Sequence, residues 1–190
     1  MKEILQVEGL CKTFRLSAKQ QKIEKTHEKV RVAVDHLSFT ANEGEIFGLL
    51  GPNGAGKTTT LRMLATLIKP DSGDAIVDGS SIVKTPDQVR SKIGFLTSEL
   101  KLEDFFTPNY LFDFFSRLHQ VPEDTTRARK EQLFARFGIG PFAEVKVANL
   151  STGMKQKVSL AISLVHNPDI IIFDEPTNGL DVLTAKVVTD

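Results

Sequence analysis

Gly51, Gly54, Gly56, Lys57 and Thr58 fall within one stretch, GPNGAGKTT, running from Gly51 to Thr59. Their spacing is that of a phosphate loop: a glycine, four residues, then Gly-Lys-Ser/Thr. A polyphosphate needs several donors converging on a small volume, and bulky side chains cannot supply them all. Glycines let successive backbone N–H groups turn inward as an anion nest, with Pro52, Asn53 and Ala55 completing the loop. A helix starting here adds its first-turn N–H groups and the positive end of its dipole. Lys57 is then expected to reach the β- and γ-phosphates, and the Thr58 hydroxyl, with Thr59 behind it, to help hold Mg²⁺. Without that context the same residues are an ordinary Gly-rich turn ending in Lys-Thr.

A second group with chemistry closes the run Asp169-Ile-Ile-Ile-Phe-Asp174, followed by Glu175. A continuous apolar run suits a central parallel strand buried on both faces. Acids at the carboxyl end of such a strand lie where ligands of open α/β sheets bind. Asp174 would orient the Mg²⁺ shell, and Glu175 would receive a proton from an attacking water. The competing reading of two acids after a strand is a helix cap. A third group, Leu150-Ser-Thr-Gly-Met-Lys-Gln156, opens a helix whose apolar positions Val158, Ala161, Ile162 and Val165 share a face. Alone, Ser151-Thr152-Gly153 is only a capping loop.

These groups need elements to position them. Glu45-Ile-Phe-Gly-Leu-Leu50 predicts a buried strand entering the phosphate loop, and Thr58–Ile68 a helix leaving it. Upstream, Glu3–Leu10 and Cys11–Leu16 alternate as two half-buried strands, and Val32–Thr40 alternates again. The hydrophilic stretch Ser17–Arg31 between them reads as a solvated insertion, with a docking loop as the other possibility. Lys69–Gly73 is a turn, Ala75–Asp78 a short strand, Pro86–Lys92 a short helix and Ile93–Leu96 a buried strand. From Leu100 to Pro141 the character is helical. Thr107 caps a helix with Pro108 at its first position, and Tyr110, Leu111, Phe114, Phe115 and Leu118 form an apolar face. That face is assigned to core packing in preference to a partner surface. A charged helix over Thr125–Phe137 ends at Gly138 and Gly140. Strands alternating with helices in this order are those of an α/β domain.

Composition narrows the function classes. Lys plus Arg and Asp plus Glu stand at 24 each, so the overall charge argues for no nucleic acid partner. A single cysteine, Cys11, excludes a disulfide framework within the chain and suits a reducing, cytoplasmic setting. The start, MKEILQVEGL, is too polar for a signal peptide, and no apolar run approaches a membrane span. A role at a membrane therefore needs another chain to supply the spanning part.

Taken in order, GPNGAGKTT, LSTGMKQ and IIIFDEPTNGLD resemble the ATP-binding subunits of ABC transporters, and the resemblance covers nearly the whole chain. It implies a P-loop NTPase fold of the ABC ATPase type: a mixed sheet with a parallel core, an antiparallel N-terminal β part and a helical subdomain. On this basis residues 1–190 form one domain. Residues 1–99 and 150–190 are expected to make the ATP-binding core and 100–149 the helical subdomain. The implied cofactors are ATP and Mg²⁺. Leu150–Gln156 would be the family's signature loop, with Thr152 where glycine is usual. It closes over the ATP of a second copy, Ser151 and Gly153 contacting the γ-phosphate, so a homodimer sandwiches two nucleotides. Gly179-Leu-Asp181 resembles the loop linking the two sites. Phe14 stands where an aromatic residue, more often Tyr, stacks on adenine. The partners implied are that second ATPase subunit and a transmembrane permease, which would hold the chain on the inner face of the membrane. The stretch IGFLTSELKLEDFFTPNYLFDFFSRLH is most similar to subunits of sodium-extruding transporters, and Phe105–Phe115 would then lie near the permease's coupling helix.

Two departures from the family pattern accompany it. Ser98, beside Glu99, occupies the place of a glutamine that touches Mg²⁺ and water. No histidine follows Asp181, where the family has one that senses the γ-phosphate. The last residues, Val182–Thr189, read as a helix, and similar proteins continue through further strands and helices. The expectation is a C-terminally incomplete domain that binds nucleotide and hydrolyses it poorly. Two other readings stay open: a non-catalytic nucleotide-binding remnant, and a soluble ABC-type ATPase unconnected with transport.

Overall fold

The computed structural model describes residues 2–97 and 102–174, which fall into two units meeting in sequence at Lys92 and Ile93. In the N-terminal unit, β1 (Glu3–Arg15) is the central strand of an antiparallel sheet, with β2 (Val30–Asn42) on one side. On its other side lies β3 (Ser72–Val77), which carries the two-residue β4 (Ser80–Ser81). The sheet order is β2-β1-β3-β4. The alternation in Glu3–Leu10 buries Leu5 and Val7, and Leu10 is fully buried after an irregularity in the ladder between Val7 and Leu10. This corrects the two-strand reading of Glu3–Leu16. The phase of the apolar pattern changes there, but a bulge absorbs the change and the strand continues.

Between β1 and β2 the hydrophilic stretch folds as α1 (Ala18–Glu24), opened by a capping box in which Ser17 and Gln20 satisfy each other's backbone N–H groups. It is a largely exposed insertion, with Ile23 70% accessible. α2 (Lys57–Leu64) and α3 (Pro86–Lys92) complete the unit, the second with the bounds its leading proline predicts. Glu45–Leu50 departs from expectation. It forms no strand, and Ile46 and Leu50 are 85% and 96% accessible. An apolar run becomes a strand only where a neighbouring strand supplies partners for its backbone N–H and C=O groups. Among the described residues, no strand of this unit's sheet pairs with it.

The C-terminal unit pairs β5 (Ile93–Thr97) with β6 (Ile170–Asp174) in parallel, Ile93 opposite Ile170 and Thr97 opposite Asp174. The parallel reading of the Asp169–Asp174 run holds, although only Ile172 and Asp174 of β6 are fully buried. Three helices make the core: α4 (Pro108–Leu118), α5 (Glu123–Phe137) and α6 (Thr152–Ser163). Thr107 caps α4 through Tyr110 N–H, and Gly138 ends α5 in the left-handed conformation, both where the sequence places them. Phe112, Ile139, Val147, Leu160 and Val165 are at most 1% accessible, and Phe112 meets Phe134 edge-on at 5.5 Å.

The apolar face assigned to α4 divides. Leu111 and Phe112 are buried and Phe115 packs against the core, whereas Tyr110, Phe114 and Leu118 face outward. The core assignment is thus wrong for those three, because the helix meets its neighbours along a stripe one residue further round. Phe106 stacks on Tyr110 at 4.4 Å, and Tyr110 on Phe114 at 6.3 Å, leaving a ladder of rings at the surface.

Candidate functional site

The phosphate loop leads directly into α2, whose N-cap is Gly56. Gly56 has φ 86°, and a Cβ built there would lie 2.1 Å from the Ala33 carbonyl oxygen of β2. Only glycine fits that close approach in a left-handed conformation. Gly54 has the same φ, with the end of the Arg31 side chain 3.1 Å from its would-be Cβ. Thr60 N–H closes the first turn on the Gly56 carbonyl at 2.8 Å. The N–H groups of the turn before it have no carbonyl within the helix to accept them, which is the geometry that attracts anions. Gly51–Ala55 are exposed, and Lys57, Thr58 and Thr59 half-buried. Lys57 folds back over the loop, its Nζ donating to the carbonyls of Gly51 at 2.6 Å and Pro52 at 2.9 Å. Its ammonium is therefore held above the loop.

Phe14 comes to the same neighbourhood through the β1–β2 ladder. Its register partner is Arg31, the residue whose guanidinium reaches Gly54. Directly opposed residues project from the same face of a sheet, so the ring and the loop lie on one side of β2. The ring is 39% accessible, with Lys12 Nζ 5.7 Å from its centroid. Lys12 is drawn back to the Lys69 carbonyl and to Asp71, each at 2.8 Å. Asp71 also accepts from Thr13 N–H and Thr13 Oγ1. The Lys12 ammonium and then the Thr13 backbone N–H hold its carboxyl at about 2, below the usual 3.8. Sequence reasoning missed Arg31 and Ala33, which the fold of β2 brings to the loop, and Asp71, which anchors Lys12 beside the ring.

In the C-terminal unit Ser151 caps α6, its Oγ accepting from Met154 N–H at 3.3 Å, and Ser151, Thr152 and Gly153 are exposed. Asp174 ends β6 with 6% accessibility, beside Thr97. Ser98, Glu99, Glu175 and Gly179–Asp181 lie outside the described residues, as does the helix expected over Val182–Thr189. Among the described residues no helix is long and apolar enough to cross a membrane.

The sequence model described as "ABC transporter" matches residues 34–178, from the strand beside the loop to beyond Asp174. The chain belongs to the ABC transporter family. Its matched part is the family's ATP-binding domain, and such domains are ATPases. The chain is 44% identical over 161 residues to the ABC transporter ATP-binding protein NatA of Bacillus subtilis (strain 168), covering 84% of this chain and 65% of NatA. It is 38% identical over 154 residues to the probable multidrug ABC transporter ATP-binding protein YbhF of Escherichia coli (strain K12), covering 81% of this chain and 27% of YbhF. It therefore spans less than two thirds of either relative. Among solved structures, a dimeric post-hydrolysis state of the ATP-binding cassette MJ0796 bound to ADP and Pi superposes with a TM-score of 0.80 at 25% identity. That match covers 97% of this chain and 79% of the cassette, so the P-loop NTPase fold with its mixed sheet and helices is established.

Proposed function

We propose that this ABC chain is the ATP-binding and ATP-hydrolysing motor subunit of a transporter, driving export, with sodium as cargo, through a separate permease. The observation that carries the reading is the phosphate loop itself: Gly56 packed on the Ala33 carbonyl at the mouth of α2, with Lys57 held above it. That donor set fits a nucleotide polyphosphate, because backbone N–H groups, a helix start and one ammonium converge there without a competing carboxylate among the described contacts. The roles follow residue by residue. Backbone donors from Gly51 to Thr59 bind phosphates, Lys57 neutralises them, Phe14 stacks on the base, and Thr58 and Asp174 serve Mg²⁺. When bound, Mg²⁺ supplies charge neutralisation at the phosphates. Glu175 accepts a proton from water. Exposed Ser151 and Gly153 meet the nucleotide of a second copy.

Export and sodium rest on the likeness of Ile93–His119 to subunits of sodium-extruding transporters. The outward ring ladder of Tyr110 and Phe114 supports a permease surface on α4, within a helical subdomain spanning 100–149. Docking there would place the chain on the inner face of the membrane. The unpaired run ahead of the loop supports slow turnover by the isolated chain, since the loop's entry is not tied into a sheet.

The test is titration of the chain with a fluorescent ATP analogue, beside Lys57→Ala. Loss of a charge-assisted contact predicts binding weakened about 10-fold or more. Equal affinity of the two forms would overturn nucleotide binding at this loop. Turnover that Glu175→Gln abolishes supports the motor reading; binding with no turnover, alone or with the permease, favours a non-catalytic remnant. Co-purification with a membrane protein separates the transporter motor from a soluble ATPase.

A further inference from the structure

The ladder between β1 and β2 holds a second irregularity. Leu10 pairs with Leu37 and Lys12 with Val34, so Cys11 on β1 stands opposite two residues of β2, Asp35 and His36. Such a bulge re-aims side chains that a regular ladder would send to opposite faces, and bulges gather beside functional sites. Here it brings a thiol, a carboxylate and an imidazole together: one donor atom from each of Cys11, Asp35 and His36 lies within 4.8 Å of the others. His36 adopts φ 46°, a left-handed conformation uncommon outside glycine. In that conformation His36 N–H donates to Cys11 Sγ at 3.2 Å, while His36 Nδ1 lies 2.7 Å from Asp35 Oδ1. The Cys11 thiol itself donates to the Gly9 carbonyl at 3.6 Å.

Cys11 is on the central strand, its backbone fixed on the far side by Asp71 N–H bonding to its carbonyl at 2.9 Å. Its thiol is half-buried, whereas Asp35 and His36 are open to solvent. Lys12, the adjacent cation, is turned to Asp71 and the Lys69 carbonyl.

We propose that Cys11, Asp35 and His36 form a three-ligand site for a borderline divalent transition metal, zinc foremost, with a fourth position open to water. The mixed donor set decides the class. Thiolate and imidazole suit zinc and its neighbours, whereas Mg²⁺ and Ca²⁺ require oxygen ligands. The site is thus chemically distinct from the Mg²⁺ site expected at the nucleotide. Tetrahedral ligand atoms around zinc lie about 3.3–3.8 Å apart, a spacing set by its bond lengths, so side-chain rotations of about 1 Å close the cluster. Binding releases the thiol proton to solvent and replaces the Asp35–His36 contact with two metal bonds. The metal then clips β1 to β2 at the bulge, three residues before Phe14.

The probe is Co²⁺, titrated into the reduced, nucleotide-free 190-residue chain. Cys11 is the only cysteine, so a thiolate-to-cobalt charge-transfer band in the near ultraviolet reports this site alone. The expected result is one such band per chain, removed by Zn²⁺, with Cys11 protected from alkylation. His36→Asn keeps a residue that tolerates the left-handed conformation, and Asp35→Asn keeps size. Each should weaken cobalt binding about 10-fold or more, at least what losing even an outer-shell partner costs. Both side chains are exposed, so these variants should fold, which circular dichroism checks. Absence of the band at saturating Co²⁺, or a band of unchanged affinity in both variants, overturns the proposal.

Discussion

Gly56→Ala and Gly54→Ala form a matched pair, because both glycines have φ 86° and differ in what a new Cβ meets. The left-handed conformation costs a residue with a Cβ about 1–2 kcal/mol, and that part is common to both. At Gly54 the nearest atom is Arg31 Nη2, the end of a flexible side chain that swings aside. At Gly56 the Ala33 carbonyl oxygen lies at 2.1 Å, and it belongs to a strand paired into the sheet. Overpacking of that kind adds about 1–3 kcal/mol. The loop escapes the overlap by moving off β2, which dismantles the arrangement that receives phosphate. Nucleotide affinity should therefore fall about 5–30-fold in Gly54→Ala and a further ~5-fold or more in Gly56→Ala. Titration with a fluorescent ATP analogue measures both, with thermal unfolding alongside to place any loss in the fold. Equal affinities in the two variants, or a milder effect at Gly56, would refute the claim that contact with β2 shapes the loop.

Three further outcomes follow from the packing and charges. His119 and His166 stack at 4.1 Å, and His166 Nε2 donates to the Ile93 carbonyl. Burial pushes both imidazoles below their usual 6.5. The unfolded chain then binds more protons, so stability is complete above about pH 6.5 and declines as pH falls below it. Denaturant titrations at several pH values should show a shallower decline in His119→Phe, which keeps the ring and removes the charge; an unchanged slope refutes the assignment. Asp71, held at about 2 by Lys12 and Thr13, contributes stability that is present above 3.8 and lost as pH falls through about 2. Acid unfolding curves of Asp71→Asn should lack that component. Phe112→Ala should destabilise by about 3–5 kcal/mol in chemical denaturation, whereas Phe114→Ser, at an exposed ring of the α4 ladder, should change stability by no more than about 0.5 kcal/mol.

What the sequence determined by itself was local. Short-range chemistry specifies a cap, a proline start or a glycine stop within a few residues, and Thr107, Pro108, Ser151 and Gly138 stand in those roles in the structure. The phosphate-loop glycines belong to the same class, since their spacing already encodes the turn. The parallel pairing of the Asp169–Asp174 run was legible too, because a continuous apolar run between helices has few other places to go. Tertiary structure decided whatever depends on a distant partner. Glu45–Leu50 carries a strand's composition without a strand's hydrogen bonds, because pairing needs a neighbour that no local pattern supplies. Which side of α4 became core was set by where α5 and α6 pack, one residue round from the stripe that periodicity suggests. Strand register alone placed Arg31 beside Phe14 and set Asp35 and His36 against Cys11. A bulge adds one residue to a ladder, and that single step changes which side chains meet. Alternation along one strand carries no trace of it, because the partner strand is far away in sequence.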